Sequence, residues 1–180
     1  EKISMLVAYG AEVFITPTAL ERDSPESYYS VSDRLAEEIP GGFKPDQYSN
    51  PANPEAHYET TGPELFEQTD GGDVDAVVIS VGTGGTITGV GRYFKEHGST
   101  ARIVAVDPEG SVFTADEEHP MGPYLVEGIG KERWPDTLDP EVVTRARDIA
   151  ARTGGAVQIT EDPAEGVSEA DVVYTDVWAS

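Results

Sequence analysis

The sequence predicts an α/β fold, with a mostly parallel sheet and helices on both faces in a three-layer, Rossmann-like arrangement. Helical and strand-like patterns alternate along most of the 180 residues. The apolar runs at 76–81 and 103–106 are continuous rather than alternating, as expected of parallel strands buried on both faces. Consecutive parallel strands need crossover connections, and helices usually supply them.

The first 45 residues predict two helices and a short strand. Residues 1–9 carry apolar side chains at helical spacing, and Gly10 follows as a stop before a strand at 13–15. A second helix is predicted over 24–40, because Ser24 suits an N-cap and Pro25 is tolerated at the first helical position.

The central part continues the alternation of helices and strands. Residues 53–69 predict a helix that is broken or bent around Gly62 and Pro63. The strand at 76–81 leads into a helix at 86–96 and a second strand at 103–106. Residues 107–138 show weak periodicity and predict an irregular excursion. A further helix should then begin at Asp139-Pro140 and end at Gly154-Gly155.

Composition excludes several classes of function. The chain has 34 acidic and 12 basic residues, a formal charge of −22, which disfavours nucleic acid and anionic membranes as partners. Because salt screens charges within about 3 Å at 1 M, this acidity predicts a halophilic source in preference to an ordinary acidic enzyme. Cysteine is absent, which excludes disulfides and thiolate sites, and no metal site is predicted. No apolar stretch approaches the roughly 20 residues of a membrane span.

The glycine-rich stretch "SVGTGGTITGVG" at 80–91 is the strongest candidate site. It joins a strand to a helix, where converging backbone N–H groups and the helix N-terminus favour a bound phosphate. Ile87 breaks the dinucleotide fingerprint, and Val90 replaces the lysine of a nucleotide-triphosphate loop. A small phosphate monoester is therefore the simplest ligand, and a tight turn without a ligand is the alternative. The predicted donors are Gly82, Thr83, Gly84, Gly85 and Thr86.

"SVGTGGTITG" resembles the cofactor-phosphate loop of fold-type-II pyridoxal-phosphate enzymes, the cysteine synthase and cystathionine β-synthase family. Other stretches over residues 1–143 resemble that family in the same order, among them "DQYSNPANPEAHYETTGPEL" and "YLVEGIGKERWPDTLDPEVV". The resemblance implies a cytoplasmic, homodimeric enzyme of cysteine or cystathionine synthesis, a lyase or transferase that replaces the β-substituent of serine or O-acylserine.

The resemblance also assigns roles to individual residues. Residues 82–86 would bind the phosphate of pyridoxal 5′-phosphate, and Gly128 and Gly130 of "EGIG" would line the mobile wall around the cofactor. Gln47 and Tyr48 would lie near the amino-acid substrate. Without the family, Gln47 and Tyr48 are equally compatible with a strand end, and the two glycines with a turn.

Several family segments are absent from these residues. The Schiff-base lysine belongs to an S-x-K-D-R type segment, and none of the four lysines stands in such a context: Lys2, Lys44, Lys95 and Lys131. The S-G-N-T-G and C-G-G-S type loops are missing as well. We therefore expect no catalytic residue in this chain, which would be an inactive fragment or part of a chimera.

Residues 139–180 resemble the ornithine-binding domain of ornithine carbamoyltransferases, most specifically in "ADVVYTDVWAS" with Asp176 and Ser180. This resemblance predicts a first portion at 1–138 and a βα extension of the same sheet at 139–180. Both families are compatible with "LDPEVV", which places the join near 138–143. The S-T-R-T-R type loop for carbamoyl phosphate is missing, so carbamoyl transfer is the lesser alternative.

Two further interpretations stay open at this point. The chain could be a non-catalytic α/β module that binds phosphate or pyridoxal phosphate, or a purely structural chimera. The three histidines fit no metal-ligand spacing and are predicted to be surface residues: His57, His97 and His119.

Overall fold

The computed structural model describes residues 2–17, 20–113, 115, 117, 120–126 and 128–140, and the backbone of 144–145. The chain divides into two compact units, Glu1–Pro45 and Asp46–Ser180. The boundary predicted near residue 138 falls within the second unit, at the end of its described residues. The division into 1–138 and 139–180 therefore stays a prediction.

The first unit contains helices α1 (Lys2–Ala8) and α2 (Tyr28–Glu38). Ser27, not Ser24, is the N-cap of α2: its buried side chain accepts the Ser30 N–H at 3.2 Å. The Ser24 carbonyl instead accepts the Ser27 N–H in the turn before the helix. The predicted start was therefore one turn too early, because Pro25 lies in that preceding turn.

The strand predicted at 13–15 does not form, and residues 11–17 have no regular secondary structure. Phe14 and Ile15 are both exposed. A strand requires a partner for its hydrogen-bond ladder, and the described part of this unit contains no other strand. A short apolar pattern was therefore insufficient to predict a strand here.

The second unit contains a small parallel sheet with helices. Strands pair in the order β1-β2-β3, both pairs parallel, with Ala76 opposite Arg102 and Val104 opposite Thr144. This pairing supports the predicted α/β class. The elements in chain order are α3 (Ala52–Glu59), α4 (Thr61–Gln68), β1 (Ala76–Ser80), α5 (Gly85–Glu96), β2 (Arg102–Val106) and β3 (Thr144–Arg145).

The core of this unit lies between α5 and the sheet. Ile87, Val90 and Phe94 of α5 recur at helical spacing and are at most 1% exposed. They form one cluster with buried residues that include Ile79 and Ile103 of the strands. Helices α3 and α4 pack on α5. Within the described residues α5 alone contacts the sheet, so the three-layer arrangement stays a prediction.

Helix α3 approaches α5 very closely at Gly89. A Cβ placed on Gly89 would lie 2.7 Å from the Cβ of His57 and from the backbone nitrogen of Tyr58. Only glycine fits here without displacing α3. The close approach brings the side chains of α3 to the first turn of α5.

Three features of this unit differ from the sequence predictions. The break between α3 and α4 is at Thr60, where φ is −123° and ψ is −71°, rather than at Gly62. Val78 of β1 is 51% exposed, because β1 is an edge of the described sheet and only its other face meets α5. Thr144–Arg145 is a strand where a helix was predicted, and the rest of 141–150 lies outside the described residues.

In the parts of the chain that the structure describes, no helix has the length and apolarity needed to cross a bilayer. The irregular excursion predicted over 107–138 is confirmed where it is described, since turns and loops occupy those positions.

Phe94→Ala tests the packing of this core. Removing a fully buried phenyl ring should lower the free energy of unfolding by about 3–5 kcal/mol. Urea denaturation followed by circular dichroism measures the change, and Leu125→Ala, at a fully exposed position, is the matched control. Equal losses in the two variants would contradict the assigned core.

Candidate functional site

A cavity of about 280 Å³ opens where β1 ends and α5 begins. In parallel α/β sheets, ligands characteristically bind beyond the carboxyl ends of the strands, which is where this cavity lies. Its walls come from the glycine-rich loop, from residues 47–48 and from residues 128–131, which we call the strap. The lining residues are Gln47, Tyr48, Ser80, Gly82, Thr83, Gly84, Thr86, Ile87, Gly128, Ile129 and Lys131.

The structure brings most of the predicted site residues to this one cavity. Of the nine predicted residues, all except Gly85 and Gly130 belong to its lining. Gly85 is the first residue of α5 and faces Asn53, while the N–H of Gly130 donates to the Val81 carbonyl at 2.9 Å. Their roles in binding a ligand stay predictions.

Sequence reasoning missed four lining residues: Ser80, Ile87, Ile129 and Lys131. Ser80 and Ile87 lie within the glycine-rich stretch 80–91, and the turn from strand to helix places both residues at the cavity. Lys131 directly follows "EGIG", but a single lysine after a turn carries no recognisable pattern.

The backbone N–H groups of the loop are not used in hydrogen bonds within the described part of the chain. The Val81 N–H donates to the Val106 carbonyl, and Thr88 is the next residue whose N–H is bonded, to the Gly84 carbonyl at 3.0 Å. Between them, residues 82–87 have no hydrogen-bond acceptor for their N–H groups among the described residues. The described residues that line the cavity include no carboxylate.

The electrostatic potential at these N–H groups favours the binding of an anion. The N-terminus of a helix holds a partial positive charge, and the first turn leaves its N–H groups unbonded within the helix. Gly84, the N-cap of α5, has φ 86°, a left-handed conformation that turns the chain from the loop into the helix. The site can therefore hold a phosphate or carboxylate through uncharged donors.

The strap is held against the end of β1 by main-chain contacts. A Cβ on Gly82 would lie 2.6 Å from the Gly128 carbonyl oxygen, so any side chain at this position would push the strap away. The Gly130–Val81 hydrogen bond secures the strap on one side. On the other side, the buried Ser111 side chain accepts the Lys131 N–H at 2.9 Å.

Two polar side chains that the sequence analysis did not single out hold Thr83. The Asn53 amide donates to the Gln47 carbonyl at 2.8 Å and to Thr83 Oγ1 at 3.0 Å. The buried hydroxyl of Thr137 donates to the Thr83 carbonyl at 2.6 Å, and the Thr137 N–H donates to the Tyr48 carbonyl. Both side chains therefore tie the 47–48 segment to the glycine-rich loop.

His57 is not the surface residue that the sequence predicted. Its Nε2 lies 3.1 Å from Thr86 Oγ1 and its Nδ1 lies 3.0 Å from Thr61 Oγ1, so the ring bridges the first turns of α5 and α4. Burial lowers the pKa of His57 from its ordinary value, which favours the neutral ring. With the proton on Nε2, the ring donates to Thr86 and leaves the Thr86 O–H available for a ligand.

His97 does not line this cavity. His97 is exposed and stacks on Tyr93 at 3.8 Å between ring centroids, and His119 lies outside the described residues. In the portion that the structure describes, no group of three or more His, Asp or Glu side chains is arranged to hold a metal ion.

Gly82→Ala tests the contact between the loop and the strap. The added methyl group cannot fit beside the Gly128 carbonyl, so the free energy of unfolding should fall by about 1–3 kcal/mol. Thermal unfolding measures it, and Gly122→Ala is the control because a Cβ on Gly122 meets nothing within 4 Å. Unchanged stability in Gly82→Ala would contradict the contact.

His57→Gln tests the half-buried ring through the pH dependence of stability. Because the folded pKa lies below the ordinary value of 6.5, the neutral ring's contribution to stability is complete above pH 6.5. It is lost as the pH falls from 6.5 through the folded pKa, since the unfolded chain then binds the proton more readily. Urea denaturation at pH 7.5 and 5.5 should show a smaller acid loss in His57→Gln than in the wild type. Identical losses would contradict the assignment.

A family model described as "Pyridoxal-phosphate dependent enzyme" matches residues 1–171. Similar curated proteins include cystathionine beta-synthase of Apis mellifera, 45% identical over 147 residues, which are 81% of this chain and 29% of that protein. The same-named proteins of Oryctolagus cuniculus and Saccharomyces cerevisiae are 48% and 44% identical over 148 and 150 residues. These alignments cover 81% and 79% of this chain, and 27% and 30% of the two relatives.

The chain thus spans less than a third of the length of these relatives. The family match extends to residue 171 and overlaps most of the segment that resembles ornithine carbamoyltransferases. The comparisons do not support that second resemblance or a chimera. Both the family model and the relatives agree with the resemblance of the first 143 residues, and the chain belongs to the pyridoxal-phosphate dependent enzyme family.

Proposed function

We propose that this chain carries the cofactor-phosphate site of an enzyme that replaces the β-substituent of serine or O-acylserine to make cystathionine or cysteine. The observation that carries the proposal is the cavity in which the N–H groups of residues 82–87 have no acceptor among the residues that the structure describes. The relatives named cystathionine beta-synthase support this choice within the family.

The residues of the cavity fit the phosphate of pyridoxal 5′-phosphate. A phosphate monoester has three acceptor oxygens and carries nearly two negative charges, so it needs several donors and no adjacent carboxylate. The loop offers unbonded N–H groups and the hydroxyls of Thr83 and Thr86 at the N-terminus of α5. Gly82 has no side chain that would separate the loop from the strap.

Each neighbouring residue has a distinct part in this proposal. Asn53 and Thr137 hold Thr83 in place, and His57 orients the Thr86 hydroxyl. Gln47 and Tyr48 line the same cavity and would contact the amino-acid substrate. Gly128 and Gly130 of the strap would cover the bound cofactor and limit the access of water.

The bound cofactor would supply an electron sink for reaction at the Cα and Cβ of the substrate. These 180 residues contain no S-x-K-D-R type segment, so we propose that they bind the cofactor phosphate without catalysing replacement by themselves. The homodimeric state, the cytoplasmic location and a saline environment stay predictions from the resemblance and the acidic composition.

A pair of cofactor analogues tests the proposal. Pyridoxine 5′-phosphate and pyridoxine differ by the phosphate, and neither has the aldehyde that reacts with surface lysines. We expect the phosphorylated compound to bind at least about 30-fold more tightly, because hydrogen bonds to a charged group contribute roughly 1.5–3 kcal/mol each. Isothermal titration calorimetry measures both affinities.

Thr86→Val and the exposed Thr100→Val provide the matched comparison. Thr86→Val should weaken pyridoxine 5′-phosphate about tenfold and leave pyridoxine unchanged, whereas Thr100→Val should alter neither affinity. Equal affinity of the wild type for the two compounds would contradict a phosphate site. Cystathionine formation from serine and homocysteine after addition of pyridoxal 5′-phosphate would contradict the proposed lack of turnover.

A further inference from the structure

Among the described residues that line the cavity, Lys131 alone has a cationic side chain. Its backbone is fixed on both sides, since its N–H donates to Ser111 Oγ at 2.9 Å and its carbonyl accepts the Val112 N–H at 2.7 Å. The side chain extends from this fixed point to Tyr48, with Nζ 5.3 Å from the centre of the ring.

This cation has no carboxylate partner among the described residues. The ion pairs there are Arg34–Glu38, Lys44–Asp33 and Arg92–Glu55, and none includes Lys131. Its ammonium group lies against the Tyr48 ring, beside a cavity whose described lining residues include no carboxylate.

The cavity therefore has two kinds of hydrogen-bond donor that can bind an anion, and they lie on different segments. The N–H groups at the start of α5 are fixed and uncharged, and they suit the phosphate of the proposed function. Lys131, on the strap, offers an ammonium group at the end of a flexible side chain, and its charge attracts an anion from several directions. Its contact with the Tyr48 ring keeps the side chain near the cavity, and the ring's apolar face can contact the methylene groups of a small ligand.

We propose that Lys131 is a specificity-determining residue that recognises the carboxylate of a small substrate, either the amino acid or a thiol acid. The proposal rests on the proposed function, because it leaves the α5 donors to the cofactor phosphate. It predicts that this protein prefers carboxylate-bearing substrates over neutral analogues of the same length.

Matched ligand pairs test the proposal on the 180-residue chain saturated with pyridoxine 5′-phosphate. The first pair is 3-mercaptopropionate and 3-mercaptopropanol, and the second is L-serine and L-serinamide. The wild type should bind the carboxylate member of one pair about tenfold more tightly, as measured by calorimetry. A preference within the first pair would identify a thiol acid as the ligand of Lys131, and a preference within the second pair would identify the amino acid.

Four variants test whether the preference depends on Lys131. Lys131→Gln should reduce the preference to within about twofold, and Lys131→Arg should retain most of it because the charge remains. Lys95→Gln removes the same charge from an exposed position in the last turn of α5 and should retain the full preference. Lys131→Met repeats the charge removal with an apolar chain of similar length.

A full carboxylate preference in both Lys131→Gln and Lys131→Met would overturn the proposal. A loss of pyridoxine 5′-phosphate affinity in these variants as large as the loss of carboxylate affinity would also overturn it, because Lys131 would then belong to the phosphate site. Failure of the wild type to bind pyridoxine 5′-phosphate would count against the proposed function. In that case the ligand pairs, titrated in the absence of pyridoxine 5′-phosphate, would still test the role of Lys131.

Discussion

The close approach of the strap to the end of β1 determines the shape of the site. Gly82 lies so near the Gly128 carbonyl that no side chain fits between them, and the Gly130 N–H donates to the Val81 carbonyl. These contacts form one wall of the cavity opposite the first turn of α5. Without them, the N–H groups of the loop would face open solvent, where a hydrogen bond to an anion contributes much less.

A second constraint is the net charge of the chain. A protein with a formal charge of −22 repels small anions at long range, and a phosphate or carboxylate ligand must therefore be held by local contacts. The cavity meets this requirement with uncharged N–H donors, the helix N-terminus and Lys131, and its described lining residues include no carboxylate. Asn53, His57 and Thr137 support these donors from outside the cavity, so the loop is held in place before any ligand arrives.

The sequence predicted the local features of the site better than its tertiary contacts. The glycine-rich loop, α5 and the parallel strands follow from strong short-range patterns, and the family resemblance added Gln47, Tyr48 and Gly128. Asn53 and His57 were missed because their roles depend on the packing of α3 against α5 at Gly89, which no local pattern contains. The strand predicted at 13–15 was wrong because a strand needs a partner that a local pattern cannot supply. The N-cap predicted at Ser24 was wrong because Ser27, one turn later, is the residue whose side chain accepts the Ser30 N–H.

Amide-resolved NMR tests whether uncharged main-chain donors hold the phosphate. Titration with inorganic phosphate should shift the N–H signals of Thr83, Gly84, Gly85 and Thr86 first, and they should reach saturation together. High sodium chloride should weaken this response only slightly, because fixed main-chain donors depend on salt less than exposed cations do. Unchanged signals for these four residues at millimolar phosphate, or shifts confined to lysine and arginine positions, would contradict the account.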